Sequence, residues 1–496
     1  MPARASKFAA VALAPGGLLL WLCLGTLPAA QGQGPPARLV ATQPETVRMP
    51  PLEQTKVLSP AASPPLEYRL EDLEELAQQY NPTLSQALWA VDNARGYMRQ
   101  VGLYPNPTVG YLRSDPSKPY DAQKQGGLYS QTIVTGGKLR LNRLAEAEEV
   151  NARCWEYEAQ RMRVTNDLRL RYYELLAAQQ SLDVARELQK IAEEGLRLAR
   201  QALEGKIGTR PDLLQARIQL NEVRIALKDA ENRYAASWQQ VAAIVGAPDL
   251  TAGRVAGSLK SDGQPLDFET SWQRLASASP QIFVAQARAD HARALLRRAL
   301  VEPLPDVTVQ LIGERDYTIR SSSLSTLVAI PLPIYNRNQG NIQSARAELQ
   351  EAQYEVERVQ LALRDQLAIT FRRYNTARSQ AQLFEAEVLP DAKENLNLTN
   401  LGYKAGEFGL LNVLIARQTY FHANLSYIDS LAELRKTQIE IDGLLLTGGG
   451  LNPAAIGAAI QTTTVGGRLR VQGLLNESQK GASRQFLPVA GQVGGN

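Results

Sequence analysis

Few side chains in this sequence are suited to catalysis or metal binding. The 496 residues include only two histidines, His291 and His422, and two cysteines, Cys23 and Cys154. Neither histidine has a cysteine or a second histidine at a spacing typical of metal ligands, so both are interpreted as surface or packing residues. The sequence also offers no Ser/His/Asp set and no phosphate-binding loop. These observations predict a protein that is not an enzyme and that has no metal site and no cofactor.

The charged residues are numerous but nearly balanced. Lys and Arg number 54 and Asp and Glu number 50, which gives a net charge of +4. Proteins that bind nucleic acid usually concentrate positive charge on one face, so the composition gives no case for a nucleic-acid partner. Because Cys23 lies in a predicted leader, the mature chain keeps a single thiol, Cys154, and an internal disulfide is excluded.

Residues 1–32 are typical of a signal peptide. A basic start is followed by a mostly apolar stretch over residues 8–27 and then by small residues suited to cleavage. Pro15 interrupts the apolar stretch, which argues against a permanent membrane helix. Lipid attachment at Cys23 is an alternative, disfavoured because Leu22 stands where lipoprotein signals have a small side chain. No later stretch approaches about 18 apolar residues, so any membrane contact must be made by strands.

The two ends of the mature chain differ in composition from its middle. Residues 33–65 are rich in Pro, Gln and Ala and are predicted to form an extended linker. Residues 447–496 are rich in Gly, Gln, Ser and Asn and are predicted to be a disordered tail. The ordered part is therefore expected between these two segments.

The middle of the chain repeats itself. Asp92-x-Ala94-Arg95 recurs 198 residues later at Asp290-x-Ala292-Arg293. Ala145-x-Ala147-Glu148 recurs 200 residues later at Ala345-x-Ala347-Glu348. Matches this far apart in nearly constant register indicate a tandem duplication, with a first repeat at 66–250 and a second at 264–446.

Each repeat is predicted to contain a helix, a β-hairpin, a very long helix and a shorter helix. The hairpins are expected at about 108–134 and 306–334, the long helices at 138–204 and 338–403, and the shorter helices at 211–246 and 411–446. Residues 138–204 contain no proline and a single glycine, Gly195, and one helix of that length would span about 100 Å. The shorter helix of the first repeat carries a stripe spaced by four and three residues, which predicts coiled-coil packing. The stripe is Ala216, Leu220, Val223, Leu227, Ala230, Tyr234, Ser237, Val241 and Ile244.

The predicted hairpins alternate apolar and polar residues. Val307, Val309 and Leu311 lie on one face of a strand, and the pattern resumes from Leu324 to Leu332. Strands of this kind match those that cross an outer membrane, which need about 9–11 residues each. Four strands cannot close a barrel, and open edges are not tolerated in lipid. The predicted fold is therefore mainly α with a small membrane β part: a duplicated long-helix coiled-coil tunnel plus four strands per chain in a shared twelve-strand trimeric β-barrel.

Several motifs within about 67–446 resemble the TolC-like outer-membrane factors, or outer membrane efflux proteins. They are Asn81-Pro82, expected to open the helical layer of each repeat, Pro105-x-Pro107 and Pro303-x-Pro305 before the hairpins, and the run Ile330–Ile342 after the second hairpin. The last run looks like the outer-membrane components of cobalt–zinc–cadmium-type cation efflux systems. The resemblance implies a homotrimer in the cell outer membrane, with helices extending into the periplasm. It also implies a periplasmic adaptor (membrane fusion protein) and an inner-membrane pump as partners, so that the chain is a passive conduit for heavy-metal cations or drugs.

The resemblance further implies roles for residues at the two helix tips. The tips expected to bind the adaptor are Gly205, Lys206, Ile207, Gly208 and Thr209 in the first repeat and Gly406, Glu407, Phe408 and Gly409 in the second. Tyr403 and Asp212 match positions that narrow the closed pore of relatives, and Asn412 is expected to complete the constriction. Relatives have an arginine at the place of Phe408 and ring carboxylates at Asn412 and Ile415, so no carboxylate ring is expected. From the residues alone, Tyr403 and Asp212 could equally serve in turn packing and helix capping.

A structural role is the alternative function. The chain could be a secreted coiled-coil spacer or tether of the cell envelope without a pore, with its hairpins packed on each other rather than in lipid. Association with membranes and a heat-sensitive oligomer would separate a channel from such a spacer.

Overall fold

The computed structural model of this chain describes residues 67–114, 124–205, 208–260, 264–317 and 320–451. The predicted signal peptide, the predicted linker and most of the predicted tail lie outside these residues. The described part is mainly helical with a few strands. No helix in it combines the length and the apolar character that crossing a membrane requires.

The elements follow each other in the same order in both repeats. The first repeat contains β1 (Glu67–Tyr68), α1 (Leu70–Tyr80), α2 (Pro82–Gln100), β2 (Thr108–Ser114), β3 (Lys124–Ile133), α3 (Lys138–Glu204) and α4 (Arg210–Val245). The short strand β4 (Arg254–Val255) follows and pairs in parallel with β1. The second repeat contains α5 (Phe268–Ala278), α6 (Pro280–Val301), β5 (Val307–Asp316), β6 (Ser321–Ala329), α7 (Gln339–Leu383), α8 (Leu389–Ala405) and α9 (Leu410–Asp442).

The same junction separates the first two helices of each repeat. Asn81 is the N-cap of α2, and its side-chain oxygen accepts a hydrogen bond from the backbone N–H of Thr83 at 2.9 Å. Pro82 follows at the first helical position. The backbone N–H at that position has no acceptor within the helix, so proline, which lacks the N–H, loses no hydrogen bond there. Ser279 and Pro280 take the equivalent places between α5 and α6. The Asn81-Pro82 motif therefore marks a break between two helices rather than the start of the whole layer.

The long helix of the second repeat is interrupted, unlike that of the first. α3 runs without a break over 67 residues. In the second repeat, α7 ends at Leu383, a π-helical turn spans Phe384–Val388, and α8 continues to Ala405. Pro390 lies just after the π-helical turn and has no backbone N–H to donate to the preceding turn of helix. The wider π-helical turn makes room for the proline where that hydrogen bond is missing. The prediction of one regular helix over 338–403 was therefore wrong at the π-helical turn.

The two hairpins join in one antiparallel sheet with the order β2-β3-β5-β6. Its central pair, β3 and β5, is in register from Ile133 opposite Val307 to Lys124 opposite Asp316. β2 and β6 are the edge strands. Large apolar side chains of the sheet are exposed, and they include Val109, Tyr111, Tyr129, Leu311, Leu324, Leu327 and Val328. The sheet thus has an uncovered apolar surface and two unpaired edges within the described chain.

The last strand is shorter than the alternating pattern predicted. β6 ends at Ala329, whereas the hairpin was expected to continue to residue 334. Pro331 and Pro333 lie in the missing part, and neither has an N–H to donate to a neighbouring strand. Leu332 is exposed outside the strand.

An ion pair joins the first long helix to the second hairpin. Lys138, the buried first residue of α3, places its Nζ 3.0 Å from Oδ1 of Asp306. The same oxygen accepts a hydrogen bond from the backbone N–H of Thr135 at 2.9 Å. Because Thr135 follows β3 and Asp306 precedes β5, these contacts fix the two hairpins to each other at the base of the sheet.

The main hydrophobic core lies where both repeats meet. It is formed by α1 to α7, α9 and the short strands β1 and β4, and its most deeply buried members include Leu73, Leu168, Leu175, Val241, Leu275, Ile282, Leu367 and Tyr374. The predicted stripe on α4 faces inward: Ala216, Leu220, Val223, Ala230, Val241 and Ile244 are buried. Heptad spacing therefore identified the packed face of this helix correctly.

The chain stays ordered for a few residues beyond the predicted end of the second repeat. Asp167 of α3 accepts hydrogen bonds from the backbone N–H groups of Gly448, Gly449 and Gly450 at 2.7, 2.9 and 2.7 Å. Asn166 donates its side-chain amide to the carbonyl of Leu446 at 2.8 Å. The predicted tail boundary at 447 was wrong, because these glycine N–H groups find a buried carboxylate. We call this contact the Asp167 clasp.

Candidate functional site

The two tips are the turns between paired helices, α3 with α4 and α8 with α9. In the first tip, the backbone N–H of Gly208 donates to the carbonyl of Ala202 at 2.9 Å. A Cβ at Gly208 would lie 2.9 Å from that of Ala202, so the turn closes tightly on the end of α3. Lys206 and Ile207, predicted to belong to this tip, lie outside the described residues.

Asp212 caps the helix that follows the first tip. Its carboxylate accepts hydrogen bonds from the backbone N–H of Thr209 at 3.1 Å and from the Thr209 hydroxyl. In return the backbone N–H of Asp212 donates to the Thr209 hydroxyl oxygen at 3.4 Å. This reciprocal arrangement is a capping box. The hydrogen bonds found among the described residues include none between Asp212 and Tyr403, so within one chain Asp212 has the capping role.

The second tip depends on a glycine in the left-handed region. Gly406 has φ of 81°, a conformation that favours glycine. Its N–H donates to the carbonyl of Tyr403 at 3.1 Å, and the N–H of Glu407 donates to Gly402 at 2.9 Å. The ring of Phe408 lies directly on the backbone of Gly402, although 45% of the Phe408 side chain is exposed. Phe408 therefore closes the last turn of α8, at a position where an arginine was expected from relatives.

A residue to which the sequence analysis gave no role lies between the two helical pairs. Arg417 of α9 is partly buried, and its Nη1 lies 3.2 Å from where a Cβ of Gly195 would be. Burial lowers the pKa of the Arg417 guanidinium, and the nearby Tyr403 hydroxyl opposes that shift. Among the described residues no hydrogen bond or ion pair of Arg417 is found. The single glycine of α3 is thus the place where a cationic side chain of the second repeat crosses the first.

Gly195 was the available signal for this contact. A glycine within an exposed helix costs roughly 1 kcal/mol relative to alanine, so its presence in a 67-residue helix suggests a close neighbour. The sequence could not show which side chain that neighbour is.

The start of α9 carries no carboxylate. Asn412 is exposed, and its backbone N–H donates to the carbonyl of Gly409 at 3.1 Å. Ile415, one turn further, is also exposed. The first turn of α9 contains no acidic residue. All three predicted constriction residues, Tyr403, Asp212 and Asn412, thus lie near the tips, but the described residues show no hydrogen bond among the three side chains within one chain.

Both helical pairs expose apolar side chains near their tips. The exposed residues are Leu214 and Ile218 on α4, Leu398 and Leu401 on α8, and Leu411 and Ile415 on α9. The described residues contain no group of three or more His, Cys, Asp or Glu side chains that could hold a metal ion. The exposed apolar side chains make this end of the molecule suited to packing against other helices.

The chain is similar to known proteins over most of its length. The family model described as outer membrane efflux protein matches residues 73–247 and 272–445, one segment in each repeat. The cobalt-zinc-cadmium resistance protein CzcC of Cupriavidus metallidurans is 29% identical over 391 residues, covering 76% of this chain and 89% of that protein. Protein CyaE of Bordetella pertussis is 26% identical over 411 residues, covering 76% and 85%.

Solved structures share the fold at low sequence identity. The outer membrane protein VceC of Vibrio cholerae matches with a TM-score of 0.64 at 19% identity, covering 76% of this chain and 96% of that one. CusC, described as a transmembrane channel, matches with a TM-score of 0.65 at 19% identity, covering 77% and 93%. A match that covers 76% of this chain is longer than either repeat, so these matches extend into both repeats.

Proposed function

The chain belongs to the outer membrane efflux protein family, and from that membership we propose that three copies form the outer-membrane channel of a tripartite efflux pump. The protein is an outer-membrane component whose helices extend into the periplasm. It supplies a passive conduit, and the energy for transport comes from the inner-membrane pump. No side chain of the conduit has to take part in a chemical step.

The four-stranded sheet is the observation that supports a trimer. Its edges, β2 and β6, each leave a row of backbone N–H and C=O groups without a strand partner, and its apolar side chains are exposed. In lipid each such unpaired group costs several kcal/mol, so the edges must be closed by other copies of the sheet. Three copies supply twelve strands, enough for one closed barrel.

Flotation of membranes separates the channel from the alternative, an envelope spacer without a pore. Washed membranes from cells that make the full chain should float with the protein on a density gradient. Unheated samples should run on a gel as an oligomer that collapses to the single chain on heating. A protein that stays in the soluble fraction would favour the spacer.

We propose that both tips bind a periplasmic adaptor. Gly406 is exposed and a Cβ there would meet open space, so the backbone is accessible to a partner. Gly406→Trp should abolish efflux while export and oligomer formation are retained. Gly137→Trp is the matched control, because Gly137 also has a positive φ, 66°, and faces open space, but lies at the opposite end of α3 from the tips. Equal transport by the two variants would place adaptor binding elsewhere.

We propose that Tyr403, Asp212 and a layer of uncharged Asn412 side chains narrow the resting pore when three chains assemble. Support comes from their position beside the tips. In planar-bilayer recordings, Tyr403→Phe combined with Asp212→Ala should raise conductance. Thr209→Ala is the control, because it removes the capping box but leaves the carboxylate. An increase with Thr209→Ala alone would mean that capping, and not the constriction, sets the conductance. Asn412→Asp should introduce block by multivalent cations from the periplasmic side.

We propose heavy-metal cations as the first substrates to test. The support is the cobalt-zinc-cadmium resistance protein among the relatives and the Ile330–Ile342 run. A strain that lacks this chain should lose tolerance to cobalt, zinc or cadmium and regain it on complementation. Loss of tolerance to drugs alone would assign the conduit to a different pump.

A further inference from the structure

A cleft lies between the two helical pairs, in the space that α3, α4 and α9 enclose. α4 and α9 both pack along α3, but they touch each other over a much shorter stretch. The space left between the three helices has a volume of about 560 Å³. Sites for small molecules typically measure about 300–1,000 Å³, so the cleft is large enough for a molecule of that size.

Small side chains keep this cleft open. Alanines and serines from all three helices line it, among them Ala178, Ala230 and Ala432. Larger residues at these positions would fill the space between the helices. Phe421 and Leu425 of α9 add a bulkier apolar part of the wall. A ligand with an apolar body would therefore remove apolar surface of the cleft from water on binding.

Most charges in the wall of the cleft already have a partner. The wall contains four carboxylates and two cations. Three of the carboxylates form ion pairs, which join Lys436 to Glu174 at 2.9 Å, Arg373 to Glu433 at 2.6 Å and Arg233 to Asp229 at 2.8 Å. These pairs leave one carboxylate of the wall to be accounted for.

That carboxylate is Asp429 of α9. No hydrogen bond or ion pair of its side chain is found among the described residues. Arg233 acts on it across the cleft, but Arg233 is bound to Asp229 on its own helix. Asp429 is open to the cleft, and burial by the surrounding helices raises the pKa of its carboxyl, with Arg233 opposing the shift. A carboxylate that has lost part of its water and has no cation bound to it is stabilised by a cationic ligand.

The chemistry of the wall selects the kind of cation. A metal ion needs several oxygen, nitrogen or sulfur ligands at once, and the described ranges contain no group of three or more His, Cys, Asp or Glu side chains that could hold one. An anion is disfavoured because carboxylates outnumber cations in the wall. An ammonium group donates hydrogen bonds to a carboxylate, and an apolar body attached to it matches the alanines and Phe421.

We propose that the cleft binds a small organic ammonium cation, with the charged nitrogen at Asp429 and the apolar body against Phe421 and the alanines of α3 and α4. All of these residues belong to one chain. The site is therefore complete without a second copy.

The position of Asp429 on α9 relates the site to the pore. Exposed residues follow each other at spacings of three and four along this helix, and they are Asn412, Ile415, Thr419, His422, Ser426 and Asp429. Such spacing keeps residues on one side of a coiled-coil helix. If Asn412 faces the pore, as proposed above, Asp429 faces it as well. This step rests on the proposed function, and it adds organic cations to the metal cations as solutes of the conduit.

Fluorescence titration of the full chain tests the site. The probe is dansylcadaverine, a primary ammonium attached to an apolar fluorophore. It is added to the protein in mild detergent, and a protein-free sample with the same detergent is subtracted. The emission should rise to saturation at one probe per chain. Asp429→Asn should weaken binding by about tenfold or more, because the probe loses a hydrogen bond to a charged acceptor.

Matched variants and a matched probe separate charge from packing. Asp391→Asn removes an exposed carboxylate of α8 outside the cleft and should leave the affinity unchanged. Ala178→Leu should weaken binding because it fills the cleft, whereas Ala368→Leu at an exposed position of α7 should not. N-acetyl-dansylcadaverine has no positive charge, so it should bind no more tightly to the wild type than to Asp429→Asn.

The outcomes separate this inference from the proposed function. Equal affinity of the wild type and Asp429→Asn for dansylcadaverine would overturn the site, and so would the absence of saturable binding. Displacement of the probe by an equal concentration of Zn²⁺ would overturn the assignment to an organic cation. A conducting trimer that does not bind the probe would remove the site and leave the conduit intact. A monomer that binds the probe through Asp429 would keep the site and remove the conduit.

Discussion

The Asp167 clasp allows a prediction with a defined magnitude. The Asp167 carboxylate, 9% exposed, accepts three backbone N–H groups from Gly448, Gly449 and Gly450. Asp167→Asn keeps the shape of the side chain but replaces one acceptor oxygen with an NH2 group. That group would face a backbone N–H, so at least one glycine N–H loses its partner.

The cost follows from the charge of the acceptor. A hydrogen bond to a charged group contributes about 1.5–3 kcal/mol, and a buried donor left unpaired costs about 1–3 kcal/mol. The Asn variant should therefore lower the free energy of opening this segment by about 2–4 kcal/mol. Since 1.4 kcal/mol corresponds to a factor of ten, amide exchange at Gly448–Gly450 should accelerate by roughly 30-fold or more.

Hydrogen–deuterium exchange read by mass spectrometry measures this directly. The peptide that contains 446–451 should exchange faster in Asp167→Asn, while peptides from α8 stay unchanged. Asp92→Asn, a substitution at an exposed carboxylate of α2, is the control and should alter neither. Unchanged protection of 446–451 in Asp167→Asn would show that the three hydrogen bonds do not hold the segment.

Three further predictions concern other contacts. Gly195→Leu should displace the Arg417 side chain and loosen the packing of α3 on α9. The resting conductance in planar bilayers should therefore rise. Unchanged conductance would show that Arg417 does not help to close the tip. Asp306→Asn leaves the buried Lys138 without its ion-pair partner, so the free energy of unfolding should fall by about 3–5 kcal/mol. The oligomer should then dissociate at a lower temperature, and an unaltered dissociation temperature would contradict this prediction. Burial raises the pKa of the Tyr172 hydroxyl to about 12, so the folded chain keeps this phenol neutral. Its contribution to stability is therefore lost only as the pH rises above about 10 towards 12. The difference between the ultraviolet titrations of the wild type and Tyr172→Phe should have its midpoint near pH 12, and a midpoint near 10 would refute it.

The sequence predicted elements whose cause is local. The lack of proline over 138–204 predicted one helix, and α3 spans Lys138–Glu204. Heptad spacing predicted the buried stripe of α4 because burial of a helix face follows its periodicity. The alternation of apolar and polar residues predicted the strands, but it extended the last strand past Pro331. The strand ends before this residue because proline has no N–H to donate to a neighbouring strand.

Features that depend on distant contacts were not accessible from the sequence. The Asp167 clasp joins residues nearly 300 positions apart, as the separation of Asp167 and Gly450, 283, shows. The crossing of Arg417 over Gly195 likewise requires the relative placement of two helical pairs. For the tips, the sequence predicted the turns and left capping by Asp212 as an alternative to its role in the constriction, but the packing of Phe408 on Gly402 appears only in the folded turn.

The central claim is that three copies of this chain share one membrane channel. Native mass spectrometry of the mature protein, purified in mild detergent, tests it most directly. A single species with three times the mass of the chain, which dissociates to single chains on heating, is the predicted result. A stable, monodisperse monomer under the same conditions would contradict the shared barrel.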